Sequence, residues 1–179
     1  MKQRTPLIAS ILSALALTGC AGPQSVSLGT DDPCQSLHEV VADYPSGFAD
    51  FRGKASNFNL LTVYRAKEQI IDGECEIWAW NQQDTAYACT VTAPSQDVAA
   101  QRHERTRDFI QSCLGNAWRA SDVERIRDGE AGGIITRFSS PESPAMVSVH
   151  SIIRTTGAQD QRSTALYIGS PARIDSLTE

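Results

Sequence analysis

The sequence predicts a single α+β domain in which an antiparallel sheet packs against two main helices and is cross-linked by disulfides. Three observations predict this fold: two amphipathic segments begin at helix-capping residues, strand-like segments are joined by short turns, and the globular part has an even number of cysteines. Strands joined by short turns pair antiparallel, because a parallel connection needs about a dozen residues or more. The predicted order within residues 32–170 is a helix, three strands, a second helix and three to four strands.

The first helix is predicted to begin at Asp32, which can cap it. Pro33 suits the first helical position, and Gln35 completes a capping-box pattern. An apolar stripe at helical spacing follows and consists of Leu37, Val40, Val41 and Tyr44. The spacing resumes after a break at 45–47, so we expect helical structure to end at Gly53.

Residues 60–92 predict a three-stranded meander. Alternation of apolar and polar residues begins near Leu61, and Asp72-Gly73 is a strong turn signal before the second strand. The second and third strands form a hairpin whose tip we place at Gln82, so that the numbers of paired residues sum to 164. Cys75 then lies opposite Cys89, at a distance that a disulfide can span.

The same alternation places Trp78, Trp80, Glu74 and Glu76 on one face of the hairpin, opposite small alanines. The two tryptophans either pack beneath a helix or form an exposed aromatic patch suited to a protein partner. The two glutamates beside them favour solvent access. These four residues are therefore the candidate partner-binding site.

The second helix is predicted to follow the cap Ser95 and to end at Gly115. Its apolar stripe is expected at Val98, Arg102, Phe109 and Cys113, with Ile110 and Leu114 beside it. Its interleaved charges are typical of a solvated face with ion pairs; a nucleic-acid or lipid headgroup site is the alternative. More strands are expected near 118–126, 134–138, 146–154 and 164–168, and residues 171–179 are predicted to form a frayed polar tail.

The cysteines of the globular part are Cys34, Cys75, Cys89 and Cys113, and four cysteines allow three pairings. The hairpin register favours Cys75 with Cys89, which leaves Cys34 with Cys113 to join the two helices. A redox or metal site is the alternative, but the sequence has no Cys-x-x-Cys and no histidine at ligand spacing from a cysteine. We therefore expect structural disulfides and no metal.

The start of the chain carries the most specific motif. Lys2 and Arg4 precede an apolar segment at 7–17, which is too short to cross a bilayer and ends in Leu17-Thr18-Gly19-Cys20. This pattern resembles the signal peptide and lipobox of bacterial lipoproteins; an ordinary secretory peptide with an incidental cysteine is the alternative. The resemblance implies that residues 1–19 are removed and that Cys20 carries acyl chains such as palmitate.

The resemblance also implies where the protein is found. Residues 20–31 would be a lipidated flexible tether, and the domain would face the periplasm. Since Ala21 is not the aspartate that such lipoproteins use for inner-membrane retention, the resemblance implies the outer membrane. Removal of Lys2 and Arg4 changes the formal charge from −5 to −7, which argues against nucleic acid or anionic lipid as a diffuse partner of the whole domain.

No catalytic motif is found, and the three histidines His38, His103 and His150 stand apart from one another in the sequence. We therefore predict a protein that is not an enzyme and needs no cofactor. The predicted function is that of a membrane-anchored envelope lipoprotein, a non-catalytic binding or scaffold module with an envelope protein as its partner. The alternative is a periplasmic inhibitor or immunity-type lipoprotein that neutralises a lytic enzyme.

Overall fold

A computed structural model describes residues 30–80, 84–127, 129–156 and 159–176. The lipobox, Cys20 and most of the expected tether lie outside these ranges. The described strands are Arg52–Asn57 (β1), Thr62–Ala66 (β2), Glu74–Ala79 (β3), Thr85–Ala93 (β4), Arg119–Arg127 (β5), Glu130–Ser139 (β6), Met146–Thr156 (β7) and Gln159–Gly169 (β8). The described α-helices are Pro33–Ala42 (α1), Gln96–Leu114 (α2) and Pro171–Ser176 (α3).

The strands form one antiparallel sheet in the order β1-β2-β3-β4-β8-β7-β6-β5. The chain thus folds as a helix followed by a four-stranded meander, twice, and the two meanders join where β4 pairs with β8. The predicted α+β class with antiparallel pairing is confirmed. The predicted order is wrong in two places, because the first meander has four strands where three were predicted and a third helix follows β8. The four strands of the second meander agree with the predicted three to four.

Strand β1 is not predicted from the sequence. Residues 44–46 and 49–51 form two short 3₁₀ turns, and β1 then begins where we expected the helical segment to end. From Gly53 to Asn57 the strand is exposed, because β1 lies at the sheet edge and pairs with β2 alone. Without a buried face, its sequence has no apolar alternation to indicate a strand.

The start of α1 is as predicted in part. The Asp32 carboxylate accepts a hydrogen bond from the backbone N–H of Gln35 at 3.0 Å. The Gln35 side chain donates to Glu39, so the return half of a capping box is not seen. The helix ends at Ala42, and Gly47 with φ 73° carries the chain through the turn that follows.

Helices α1 and α2 cover one face of the sheet, which we call the helix face. Its fully buried side chains include Leu37, Val40, Phe48, Ile77, Ile110, Phe138, Val147, Val149, Leu166 and Ile168. Tyr87 lies among them, and its hydroxyl donates to the carbonyl of Glu68 at 2.8 Å. Burial raises the pKa of this phenol, so it stays neutral and serves as a hydrogen-bonding group within the core.

Both predicted disulfides are present. Cys75 and Cys89 are directly paired residues of β3 and β4, with Cα atoms 4.0 Å apart, and the predicted hairpin register is confirmed along the whole pair. Cys34 bonds to Cys113 with Cα atoms 5.3 Å apart and joins α1 to α2. The first disulfide holds two neighbouring strands together, and the second connects distant parts of the chain.

The segment predicted as a frayed tail is folded through Ser176. Residues Pro171–Ser176 form α3, whose Ile174 is fully buried. The guanidinium of Arg173 lies 3.8 Å from the ring centre of Trp80 and pairs with the carboxylate of Asp84. Because α3 contacts the sheet mainly through one apolar side chain and one arginine, its sequence has no periodic apolar pattern. The sequence alone therefore predicts a polar tail at this position.

Candidate functional site

The sheet face opposite α1 and α2 is the more open one, and we call it the open face. Among the described helices, only α3 packs there, through Ile174 against Ala88, Ala165 and Tyr167. A groove of about 410 Å³ lies on the β3–β4 part of this face. We call it the acidic groove; it is lined by Gly73, Glu74, Glu76, Trp78, Ala88, Thr90, Val91 and Thr92.

The pairing of β3 with β4 builds this groove. Glu74 lies opposite Thr90 and Glu76 lies opposite Ala88, so carboxylates on one strand stand beside small side chains on the next. Trp78 lies on the same face because it is two residues beyond Glu76 along the strand. The arrangement provides hydrogen-bond acceptors and an aromatic wall around a shallow floor.

The indole of Trp78 is held in place on several sides. Its Nε1–H donates to Glu76 Oε2 at 2.8 Å. Its ring is edge-on to the ring of Trp80, with the ring centroids 6.0 Å apart. The ring of Tyr167 is tilted relative to it, with the centroids 6.1 Å apart. Trp78 is half-buried, so it packs on the small apolar cluster of the open face and still presents part of its ring to the groove.

Trp80 does not line the acidic groove, although the alternation of side chains predicts that it shares a face with Trp78. The Arg173 guanidinium stacks on Trp80, and the ion pair with Asp84 holds that arginine in place. Trp80 therefore belongs to the contact that fastens α3 to the sheet. Of the four candidate binding residues, Glu74, Glu76 and Trp78 come together around one groove.

A second, polar recess of about 250 Å³ lies next to the groove and is lined by Arg65, Gln69, Glu74, Cys75 and Glu76. Arg65 on β2 is paired with Glu76 on β3, so a cation stands across the strand from one of the two carboxylates. The two glutamates therefore separate two recesses. A ligand with a positively charged or hydrogen-bond-donating group would meet both carboxylates here.

Gly73 sets the close approach of the β2–β3 connection to β4. Its φ is +112°, and a Cβ atom would lie 2.2 Å from the carbonyl oxygen of Thr90. We expect Gly73→Ala to lower the free energy of unfolding by more than about 3 kcal/mol, measured by urea denaturation. The reason is that an alanine here would have both a strained positive φ and a Cβ overlapping the Thr90 carbonyl oxygen. The sequence shows the turn at this position but not the approach to Thr90.

Gly129→Ala is the matched control, because Gly129 has φ +81° and no atom within 4 Å of an added Cβ. Its cost should be that of the backbone conformation alone, about 1 kcal/mol. Equal losses of stability in the two variants would show that the contact with Thr90 does not matter.

A buried polar cluster on the open face was not predicted. His150 and Ser148 are fully buried on β7, and Ser148 Oγ lies 2.9 Å from His150 Nε2. The Tyr167 ring stands edge-on to the imidazole at 4.7 Å. Burial lowers the pKa of His150 to about 3, and the positive charges of Arg125 and Arg137 act in the same direction.

This cluster has the atoms of a serine–histidine pair but not the surroundings that a nucleophile needs. A general base works best when its pKa is near the working pH, whereas the pKa of His150 is about 3 and lies far below neutral pH. Both side chains are closed to solvent. Among the described residues, no hydrogen-bond partner is found for His150 Nδ1. We therefore assign the pair to the interior packing of the sheet.

The helix face contains a second buried histidine. His103 lies on α2, with Nε2 3.3 Å from the carbonyl of Val149, and its pKa is lowered mainly by burial. The buried stripe of α2 is Ala99, His103, Ile110 and Leu114, so the predicted stripe is displaced by one residue at its start. A histidine in the buried stripe is the reason, since a lone histidine among charges predicts a surface position.

The rest of the predicted charged face of α2 makes local contacts. Arg107 pairs with its neighbour Asp108 at 2.9 Å, and the Arg102 side chain donates to the carbonyl of Thr92. These contacts fit the expectation of a solvated surface on α2. His38 lies instead on α1, where its Nε2 is 2.9 Å from the carbonyl oxygen of Cys113.

Within the described ranges, no group of three or more His, Cys, Asp or Glu side chains is arranged to hold a metal ion. None of the helices in the described part is long and apolar enough to span a bilayer. Comparison with family models, with curated proteins and with solved structures finds no match for this chain.

Proposed function

We propose that this chain is a membrane-anchored envelope lipoprotein whose domain is a non-catalytic binding module facing the periplasm. The acidic groove is its partner site. The single observation that carries this proposal is the position of Trp78, half-buried at one end of a row with Glu76 and Glu74 on the sheet face that the main helices leave open. Lipid attachment at Cys20 is supported by the resemblance of residues 1–20 to a lipobox-type signal peptide.

The chemistry of the groove indicates the kind of partner. Glu74 is exposed and Glu76 is half-buried, so both carboxylates can accept hydrogen bonds from an incoming group. An aromatic ring beside two carboxylates suits an arginine or lysine side chain, which can stack on the ring and pair with the acids. We therefore infer that the partner is an envelope protein that places a basic segment in the groove.

The proposal is tested by crosslinking in intact envelopes followed by affinity measurement with the captured partner. Glu74→Gln combined with Glu76→Gln keeps the shape of both side chains and removes both charges. We expect binding to weaken about tenfold or more, because each charge-assisted hydrogen bond contributes about 1.5–3 kcal/mol. Adding Trp78→Phe to this variant should weaken partner binding further, while most of the aromatic packing of the domain stays in place.

The matched control replaces two exposed acids elsewhere, Glu104→Gln with Glu142→Gln. This variant has the same net charge as the groove variant and should bind normally. A partner that is retained by the groove variant, or lost equally by both variants, would contradict the assignment of the groove.

A further inference from the structure

The turn between β1 and β2, residues 57–61, is the most exposed apolar feature of the described chain. The side chains of Phe58 and Leu60 are 64% and 78% exposed, the two highest values among the described large hydrophobic residues. The turn is ordered by a hydrogen bond from the Phe58 N–H to the carbonyl of Leu61 at 2.8 Å. We call these five residues the hairpin tip.

Charge is distributed unevenly around the hairpin tip. Residues 55–64 contain no charged side chain, and the charged residues between positions 52 and 67 are all basic: Arg52, Lys54, Arg65 and Lys67. Arg52 and Lys67 donate to the backbone carbonyls of Gly47 and Asp50. Arg65 lies opposite Glu76 in the strand register, and Lys54 is the exposed cation closest in sequence to the tip on β1.

The path of the chain brings the hairpin tip within reach of the expected anchor. Thr30, the first described residue, bonds Ser36, which in turn donates to Glu68 just beyond the end of β2. The tip lies at the other end of β2, which has five residues and is about 17 Å long. The segment from Cys20 to Thr30 can span at most about 35 Å.

We propose that the hairpin tip inserts into the anionic lipid surface that holds Cys20, an inference that rests on the proposed lipid anchoring. Phe58 and Leu60 would enter the boundary between headgroups and acyl chains, which takes apolar side chains to a depth of about 5–10 Å. Lys54 would remain among the lipid phosphates. The chain length that reaches the membrane and the sign of the flanking charge both favour lipid as the occupant.

Insertion would also orient the domain. The register pairs Thr62, next to the tip, with Ala79, whereas Glu74 lies at the opposite end of β3. The Gly73–Glu74 end of the acidic groove would then point away from the membrane. Two attachments, one through lipid and one through the tip, would present the groove to a partner in the periplasm.

The test uses the full lipidated chain in vesicles of phosphatidylethanolamine and phosphatidylglycerol. A polarity-sensitive fluorophore is attached to Phe58→Cys, and Ile134→Cys carries it in the matched control, since Ile134 is also an exposed apolar residue. Non-reducing peptide mapping verifies the two native disulfides in each variant. We expect a blue-shifted emission, quenched by a lipid-soluble quencher, at position 58 and a water-like emission at position 134.

The outcomes separate this inference from the anchoring on which it rests. A chain that sediments with vesicles but shows a water-like signal at position 58 overturns tip insertion and leaves the anchor intact. A chain that does not sediment overturns both. Crosslinking of position 58 to an envelope enzyme would overturn lipid insertion and favour the inhibitor alternative. In support, Phe58→Ala with Leu60→Ala should weaken vesicle binding of the unlipidated Cys20→Ser chain by about tenfold or more.

Discussion

Removal of the Cys34–Cys113 disulfide, as Cys34→Ala with Cys113→Ala, is expected to lower the free energy of unfolding by about 4.5 kcal/mol. The two cysteines are separated by 79 positions, so their bond closes a long loop and lowers the conformational entropy of the unfolded chain. The native state loses the covalent link between α1 and α2 and keeps only side-chain contacts such as that of His38 with the Cys113 carbonyl. Urea denaturation of the folded domain measures the loss.

The second disulfide is the natural comparison. Cys75 and Cys89 are separated by only 14 positions, and the same loop-closure argument gives about 3 kcal/mol for Cys75→Ala with Cys89→Ala. That pair is buried in the core, so removal also leaves space beside Tyr87 and adds a packing loss. If the Cys34–Cys113 variant lost less than about 1 kcal/mol, loop closure would not be the source of its stability.

The cysteines show why part of this fold is predictable from sequence. A hairpin register is a matter of counting, because a turn and the alternation of side chains decide which residues face each other. Cys75, Cys89 and Trp78 could be placed on their faces by that rule alone. The same parity brought Glu74 and Glu76 together with Trp78, and these three residues form the candidate site.

Other features could not be predicted because distant residues determine them. Trp80 has the same parity as Trp78, but Arg173 from the end of the chain covers it. Ile174 is a single apolar residue in a polar segment, and its burial depends on the small apolar cluster that the sheet provides. Sequence patterns report periodic burial and contain no signal for an isolated contact made across the fold.

The buried histidines belong to this second class. Nothing near His150 in the sequence indicates burial, because its strand alternates small polar and apolar residues that suit either face. The structure surrounds its imidazole with charged and ionisable groups from other elements: Arg125 on β5, Arg137 on β6, His103 on α2 and Tyr167 on β8. The consequence is a strong dependence of stability on pH.

We expect the domain to lose several kcal/mol of stability between neutral pH and pH 4 through His150. Its pKa is about 3 in the folded chain, compared with 6.5 for an ordinary histidine, so the unfolded chain binds the proton first as the pH falls. The contribution of the neutral imidazole is therefore complete above about pH 6.5 and is lost progressively toward pH 3. At pH 5 the loss is about 2 kcal/mol. The lowered pKa of His103 adds a loss of the same sign.

His150→Gln removes the proton-binding group while retaining a side chain that can bond Ser148. Its urea midpoint at pH 7 should fall because the Tyr167 contact is altered, but the further decrease between pH 7 and pH 5 should be smaller than in the wild type. The NMR signal of the His150 ring gives an independent measurement in the wild-type protein, since it should not titrate above about pH 4. A ring that titrates near pH 6.5 in the folded domain, or a variant with undiminished acid sensitivity, would show that His150 is solvated. In that case the acid response would have to come from His103 or from the carboxylates.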